Sequence, residues 1–414
     1  MAVFKSSINN EYPKNVKICR IATVSYYLVS QLKDQAEYLR DCGMDVVMIS
    51  SDGPELSKLN LGCGLTHEVI NIPRSLKPLK DITALLDLIR VFRKYKFDIV
   101  HSTTPKAGLL SAIAAFLLGV PVRLHTWTGQ RWVTLKGPMR WAAIVSDMII
   151  GCLNTRCYAD SKSQRRFLLD NKITVPHKLE VIGHGSLAGV DLNRFNPNRW
   201  TDSEKKSIKN ELSITSSAKV LIFLGRVGVE KGIAELISSV QKLIHKGYDI
   251  DLLLVGPRDQ DCGGKDFIDL QEIEHFPRIH YLGYSDQPER YLAISDILCL
   301  PSYREGFGTV VIEAASMGVP AIGTKINGLI DAVEDGKTGV LVPSRDERAV
   351  YIALKKMLDN PDSFHEMGIA AKKRCTKNFD AQIVNKLVFE EYIRLLKDFL
   401  KKKLRYNYRM NQIK

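Results

Sequence analysis

Apolar residues along the chain come in short clusters that alternate between two spacings. Val16–Val24 is an apolar run with a basic edge, followed by an amphipathic segment over 28–42 that ends at Gly43. Asp45–Ser50 and Val69–Ile72 read as strands, and Ile82–Tyr95 carries helical spacing at Leu85, Leu86, Ile89, Val91 and Phe92. Phe97–His101 then reads as a strand, Ala107–Leu118 as a buried helix and Val120–His125 as a strand, with Asp147–Ile150 and Arg156–Ala159 as further short strands. Around Leu179–Pro197 the pattern breaks into glycine and asparagine, as a linker would. A second series follows, with strands at Ala218–Gly225, Asp251–Gly256, Ile279–Gly283, Asp296–Leu300, Val319–Gly323 and Val340–Pro343. Helices such as Ile233–Lys246 and Gly308–Met317 fit between them, and Ala381–Lys403 reads as one long helix. Strands that alternate with helices imply parallel sheets covered on both faces. The expected fold class is therefore α/β, with two doubly wound domains. Their expected extents are 1–195 and 196–380, followed by a helix and basic tail over 381–414.

A chain of 414 residues with 45% hydrophobic and 25% charged residues can bury a core in each domain. No apolar run reaches the roughly 18–20 residues of a membrane span. The N-terminus lacks the apolar core of a signal peptide, so a cytoplasmic protein is expected. The eight cysteines show no zinc spacing and read as buried thiols.

Charge changes the picture. The net charge is +13, unevenly placed: residues 1–200 carry 27 Lys and Arg against 16 Asp and Glu, residues 201–393 carry 24 against 29, and residues 394–414 carry eight against one. An acidic stretch between two basic ones argues against a uniform nucleic-acid binder and points to one face that meets an anionic surface.

Two motifs carry candidate chemistry. The first strand of the second domain ends in Gly225-Arg226, followed by Val227-Gly228-Val229-Glu230-Lys231-Gly232 and a helix. Glycines let a backbone approach a ligand, a helix start attracts anions, and two cations suit a diphosphate. Neither the Walker spacing nor GxGxxG is present, and an ordinary turn with surface cations explains the motif equally well. The second motif is Pro301-Ser302-Tyr303-Arg304-Glu305-Gly306-Phe307-Gly308, with Glu313 in the helix that follows. Two carboxylates flanking a diphosphate site suit the hydroxyls of a nucleotide-sugar. Taken alone, one solvated and one salt-bridged glutamate is the simpler reading. The triplets Asp249-Ile250-Asp251 and Asp259-Gln260-Asp261 resemble metal-binding pairs but read as strand and turn residues.

In order and spacing these motifs resemble the retaining glycosyltransferase family 4. The resemblance includes Gly318-x-Pro320 and Gly328–Pro343, and it runs through most of residues 16–390. It implies the GT-B fold, two Rossmann-like domains facing across a cleft. By resemblance, Arg226 and Lys231 grip the donor diphosphate and Gly225 lies at the same turn. Glu305 binds donor sugar hydroxyls, Gly306, Phe307 and Gly308 supply backbone N–H groups, and Glu313 binds the ribose. His125 resembles the histidine that meets the donor sugar; a buried core histidine is the alternative. No metal cofactor is implied.

The stretch Phe97–Leu110, with Gly183-His184-Gly185-Ser186, Gly189-Val190-Asp191 and Phe195, resembles the subgroup of capsule and O-antigen assembly. That subgroup implies transfer of a sugar, such as an N-acetylated or deoxy amino sugar, from a UDP-sugar to a polyprenyl-diphosphate-linked acceptor. Lys106 is expected to face the acceptor diphosphate. The mixture of Trp127, Trp132 and Trp141 with Arg131, Lys136 and Arg140, and the basic tail, suggest peripheral contact with the anionic inner membrane face. The loop Thr23–Leu28 departs from relatives that carry a glycine pair there. Three alternatives remain: a nucleotide-sugar 2-epimerase of the same fold, a basic nucleic-acid binder and a nicotinamide oxidoreductase.

Overall fold

The computed structural model describes residues 15–60, 64–258 and 276–413. The chain divides into two compact units. The first comprises Met1–Asp160, Arg165–Gly183 and Ile383–Lys414; the second comprises Ser161–Gln164 and His184–Gln382.

In the first unit seven parallel strands run β1 Lys17–Ile21, β2 Asp45–Ser50, β3 Thr66–Val69, β4 Ile99–Thr103, β5 Val122–Trp127, β6 Arg156–Ala159 and β7 Leu179–Glu180. Their order in the sheet is β3-β2-β1-β4-β5-β6-β7. Central strands are covered on both faces, so β1 and β4 are buried along nearly their whole length, polar Arg20, His101, Ser102 and Thr103 included. The helices that cover the sheet open on proline where its missing N–H does no harm, as at Pro78 and Pro105. The helix Pro78–Tyr95 turns Ala84, Leu88 and Phe92 inward, where they join Ile21, Val47 and Ile49 in the core. Burying each large side chain contributes about 1.5–3 kcal/mol.

In the second unit six parallel strands follow: β8 Lys219–Leu224, β9 Ile250–Val255, β10 Ile279–Gly283, β11 Ile297–Leu300, β12 Ala321–Thr324 and β13 Gly339–Val342. Their order is β10-β9-β8-β11-β12-β13. Both sheets start at a central strand, grow outward, then cross back and grow the other way. The order reverses between β1 and β4 in one unit and between β8 and β11 in the other. In such sheets the reversal opens a crevice beyond the strand ends, where ligands bind. The helix Ile233–His245 buries Ile233, Leu236, Ile237, Val240 and Leu243 against β8 and β9, which fixes the start of that helix beside the crevice.

The structure corrects four expectations. The strand read at Val69–Ile72 lies instead at Thr66–Val69. Asp147–Ile150 is not a strand but part of the helix Gly137–Leu153. A short apolar run does not distinguish the two states, and Pro138 starts the helix ahead of it. Trp127 and Trp132 are not interfacial; each is 2% exposed, in a core with Ile150, Cys157 and Leu168. The long C-terminal helix runs further than Lys403, over Ala381–Ile413; it begins in the second unit and continues in the first. Among the described cysteines, 19, 157, 299 and 375 are buried, 42 is half-buried and 152 is exposed.

Candidate functional site

The site of the second unit is built where β8 and β11 end. Gly225 leaves β8 with φ of 140°, and its N–H donates to Val255 O at 3.0 Å. Val227 N donates to Pro257 O at 2.9 Å, so the loops after β8 and β9 lie side by side. Gly232 is required for two reasons. Its φ of 66° is left-handed, and a Cβ there would lie 2.2 Å from Pro301 O. The turn that carries Lys231 therefore rests directly on the loop after β11. Tyr303 N donates to Glu230 O at 2.9 Å and Arg304 pairs with Glu230 at 2.7 Å, which clasps the two loops together.

This clasp brings Lys231 and Glu305, 74 residues apart, into an ion pair through Nζ and Oε1. Ser302 Oγ donates to the same carboxylate oxygen at 2.8 Å. The two side chains are 20% and 14% exposed, so the pair sits at the lip of the crevice with limited screening. Arg226 is exposed at the end of β8. The ring of Phe307 is 1% exposed and packs on Phe379 with centroids 5.2 Å apart, which anchors the loop while Gly306 and Gly308 stay with the backbone. Gly308 has φ of 85° and starts the helix Thr309–Ser316. A Cβ at Gly328 would lie 2.5 Å from Gly306 O, so a second glycine turn presses on the same loop.

Glu313 lies one turn into that helix. Burial pushes its carboxyl up to about 7; Arg194 opposes the shift and Glu289 adds to it. Arg194 pairs with Glu289 at 2.8 Å and donates to Asp286 O at 2.6 Å. The sequence reading singled out neither Arg194 nor Glu289. Their signal was weak, a cation within Gly189–Phe195 and an acid 95 residues later. It also missed Ser163, whose Oγ accepts from Gly328 N at 2.8 Å and whose N–H donates to Asp331 at 2.9 Å. The glycine-rich segment after His184 is not a loose tether. Val190 N donates to Phe379 O at 2.7 Å and Val190 O accepts from Ala381 N at 2.9 Å, a backbone bridge inside the second unit.

Two predicted residues lie in the first unit. His125 is in β5, 1% exposed, with Nδ1 2.9 Å from Ser102 Oγ. The helix Pro105–Leu117 lays Gly108 on its ring, where a Cβ would lie 2.4 Å from Cε1. Burial pulls its pKa down to about 3, so the ring is neutral at physiological pH and acts through hydrogen bonding rather than charge. Lys106 Nζ lies 2.7 and 2.8 Å from the two oxygens of Asp81 and 2.6 Å from Ser75 O. It ties two helix starts together, at 13% side-chain exposure. Near it Thr104 holds φ of 70°, a strained value for a β-branched residue, while its Oγ1 accepts from Thr23 N at 3.0 Å.

Asp249 pairs with Arg278, and Asp251 accepts from His280 Nε2 at 2.8 Å, so structural partners take up both carboxylates. The triplet 259–261 lies outside the described residues.

Comparison with known proteins agrees with this fold. Residues 204–374 match the family described as glycosyl transferases group 1, and residues 29–185 match a glycosyl transferase 4-like domain. The chain is 32% identical over 388 residues to the capsular polysaccharide biosynthesis glycosyltransferase CapM of Staphylococcus aureus, covering 94% of this chain and 98% of that protein. It is 27% identical over 293 residues to the Escherichia coli UDP-Gal:alpha-D-GlcNAc-diphosphoundecaprenol alpha-1,3-galactosyltransferase, 69% of this chain and 73% of that one. Its fold is similar to that of Anabaena Alr3699/HepE in complex with UDP and glucose, with a TM-score of 0.75 at 18% identity over 91% of this chain and 99% of that one.

Proposed function

The chain belongs to the group 1 glycosyltransferases of GT-B fold, and from that premise we propose that it transfers a sugar from a UDP-sugar to a polyprenyl-diphosphate-linked acceptor, with retention at the anomeric carbon, in the assembly of a capsule or related surface polysaccharide. The observation that carries the reading is the cation and carboxylate brought together at the β8/β11 crevice, Lys231 and Glu305, on loops that only glycine permits. The CapM similarity over nearly the whole chain supports the capsule setting. The galactosyltransferase similarity supports the lipid diphosphate acceptor, and the UDP-bound neighbour has the same fold.

In this reading Lys231 and Arg226 stabilise the leaving diphosphate, which strengthens as negative charge develops on it. Gly225 admits the phosphates. Glu305 accepts from sugar hydroxyls, with Gly306, Phe307 and Gly308 beside it, and Glu313 accepts from the ribose. Neutral His125 offers a hydrogen bond to the donor sugar. The bond from the anomeric carbon to the diphosphate oxygen breaks, and a bond to the acceptor oxygen forms on the same face. The acceptor proton passes to the departing diphosphate. Two side-chain cations supply the charge compensation, so no metal enters the scheme. Lys106 meets the acceptor diphosphate only if its pair with Asp81 opens.

The test is nucleotide release from a panel of UDP- and GDP-sugars, with and without polyprenyl-diphosphate-sugar acceptors, beside Glu305→Ala. Acceptor-dependent UDP release from one donor, lost in the variant, is expected. Conversion of the donor sugar itself, without need of acceptor, selects a 2-epimerase and refutes transfer.

A further inference from the structure

The helix Gly137–Leu153 in the first unit presents an apolar stripe to solvent. Trp141, Val145, Met148 and Ile149 are exposed, Trp141 to 64%. Their spacing of four, three and one places them on one helix face. Asp147, Ile150 and Gly151 point the other way and are buried. Asp147 is the only acid of this helix, and Trp132 Nε1 donates to it at 2.8 Å inside the core. The exposed face therefore carries no carboxylate. At its start lie exposed Arg131 and Lys136, with Arg140 held over the Trp132 ring at 5.8 Å. The helices Pro78–Tyr95 and Gly137–Leu153 both pack on Pro105–Leu117, and Pro78–Tyr95 also exposes Leu79, Ile82 and Leu86. Isolated exposed apolar residues are ordinary, but a stripe along a helix calls for a cover.

We propose that Gly137–Leu153 seats the first unit on an anionic lipid bilayer. The helix lies in the plane of the interface, with Trp141, Val145, Met148 and Ile149 at the headgroup–acyl boundary and Lys136 and Arg140 toward lipid phosphates. Charge favours lipid over a second copy of the chain. The first unit carries 33 Lys and Arg against 18 Asp and Glu, a net +15, so an anionic surface attracts this unit where a like-charged copy is repelled. This inference deepens the lipid-linked acceptor reading.

The experiment floats the full chain on acceptor-free vesicles of phosphatidylglycerol and phosphatidylcholine, with pure phosphatidylcholine vesicles beside them. It compares wild type with Trp141→Glu/Val145→Glu and with the milder Trp141→Ala/Val145→Ala. Thermal melts identify any variant that fails to fold. Wild type floats with anionic vesicles, and the bound fraction falls about tenfold or more in the glutamate variant. Turnover of a water-soluble acceptor analogue stays unchanged in the variants. Wild type that stays in the soluble fraction at low salt overturns the proposal, as do folded variants that float like wild type. A lipid-free dimer that the variants convert to monomer also overturns it, because a second copy then covers the stripe. Flotation without turnover of any lipid-linked acceptor removes the acceptor reading and leaves the docking surface standing.

Discussion

Because Lys231 and Glu305 pair with one another, a nucleoside diphosphate must compete with Glu305 for Lys231. Glu305→Gln removes the competitor and keeps the shape of the side chain. At 20% and 14% side-chain exposure the pair lies between surface pairs, worth about 0–1 kcal/mol, and buried pairs, whose disruption costs about 3–5 kcal/mol. A value of about 1–2 kcal/mol is the working figure. Releasing Lys231 from that attraction raises the affinity for UDP by about fivefold to thirtyfold. Turnover of the UDP-sugar moves the opposite way, because the sugar hydroxyls lose a charged acceptor. A fall in kcat/KM of about 10²-fold matches the loss of one strengthened transition-state hydrogen bond. Lys231→Ala lowers both quantities. Titration calorimetry with UDP and nucleotide release with the UDP-sugar give the two readouts, and the double variant closes the cycle. If Glu305→Gln weakens UDP binding as much as Lys231→Ala does, the carboxylate is part of the phosphate site, and the assignment of separate roles fails.

Gly232→Ala combines a left-handed backbone with a Cβ 2.2 Å from a carbonyl oxygen, so it destabilises the second unit by about 2–4 kcal/mol, read as a lowered denaturant midpoint. Glu313 has a folded-state pKa raised from 4.5 to about 7, so the folded protein holds a proton that the unfolded chain has lost. Its contribution to stability therefore falls as pH rises from 4.5 to 7. The difference in unfolding free energy between wild type and Glu313→Gln shows that slope, and a flat difference refutes the raised pKa. Lys106→Ala leaves Asp81 partly buried without its cation and lowers stability by about 1–2 kcal/mol in thermal melts. A selective rise in acceptor KM at unchanged stability instead assigns Lys106 to the acceptor. Turnover persists in excess chelator if the diphosphate is neutralised by Arg226 and Lys231 alone; abolition by chelator, restored by a divalent cation, refutes that scheme.

The strand and helix runs along the chain imply two parallel-sheet domains, because strands covered on both faces are rich in apolar residues. The glycine turns at 225, 232 and 308 were likewise visible, since only glycine accepts those backbone angles without strain. What the chain alone left open depends on distance in sequence. Nothing local to Lys231 says that Glu305 will pair with it; the reversal of strand order between β8 and β11 brings them together. Nothing local to Lys106 says that Asp81 and Ser75 will lie around it; the fold brings the two helix starts together. Trp127 and Trp132 looked interfacial beside Trp141, yet they share a core while Trp141 stands in solvent, because β5 and the turn after it face inward where the outer face of Gly137–Leu153 does not. The state of Asp147–Ile150 was undecidable from four residues; packing that buries Asp147 against Trp132 selects the helix. Spacing along the chain determines which face a residue takes, and only tertiary packing determines what that face meets.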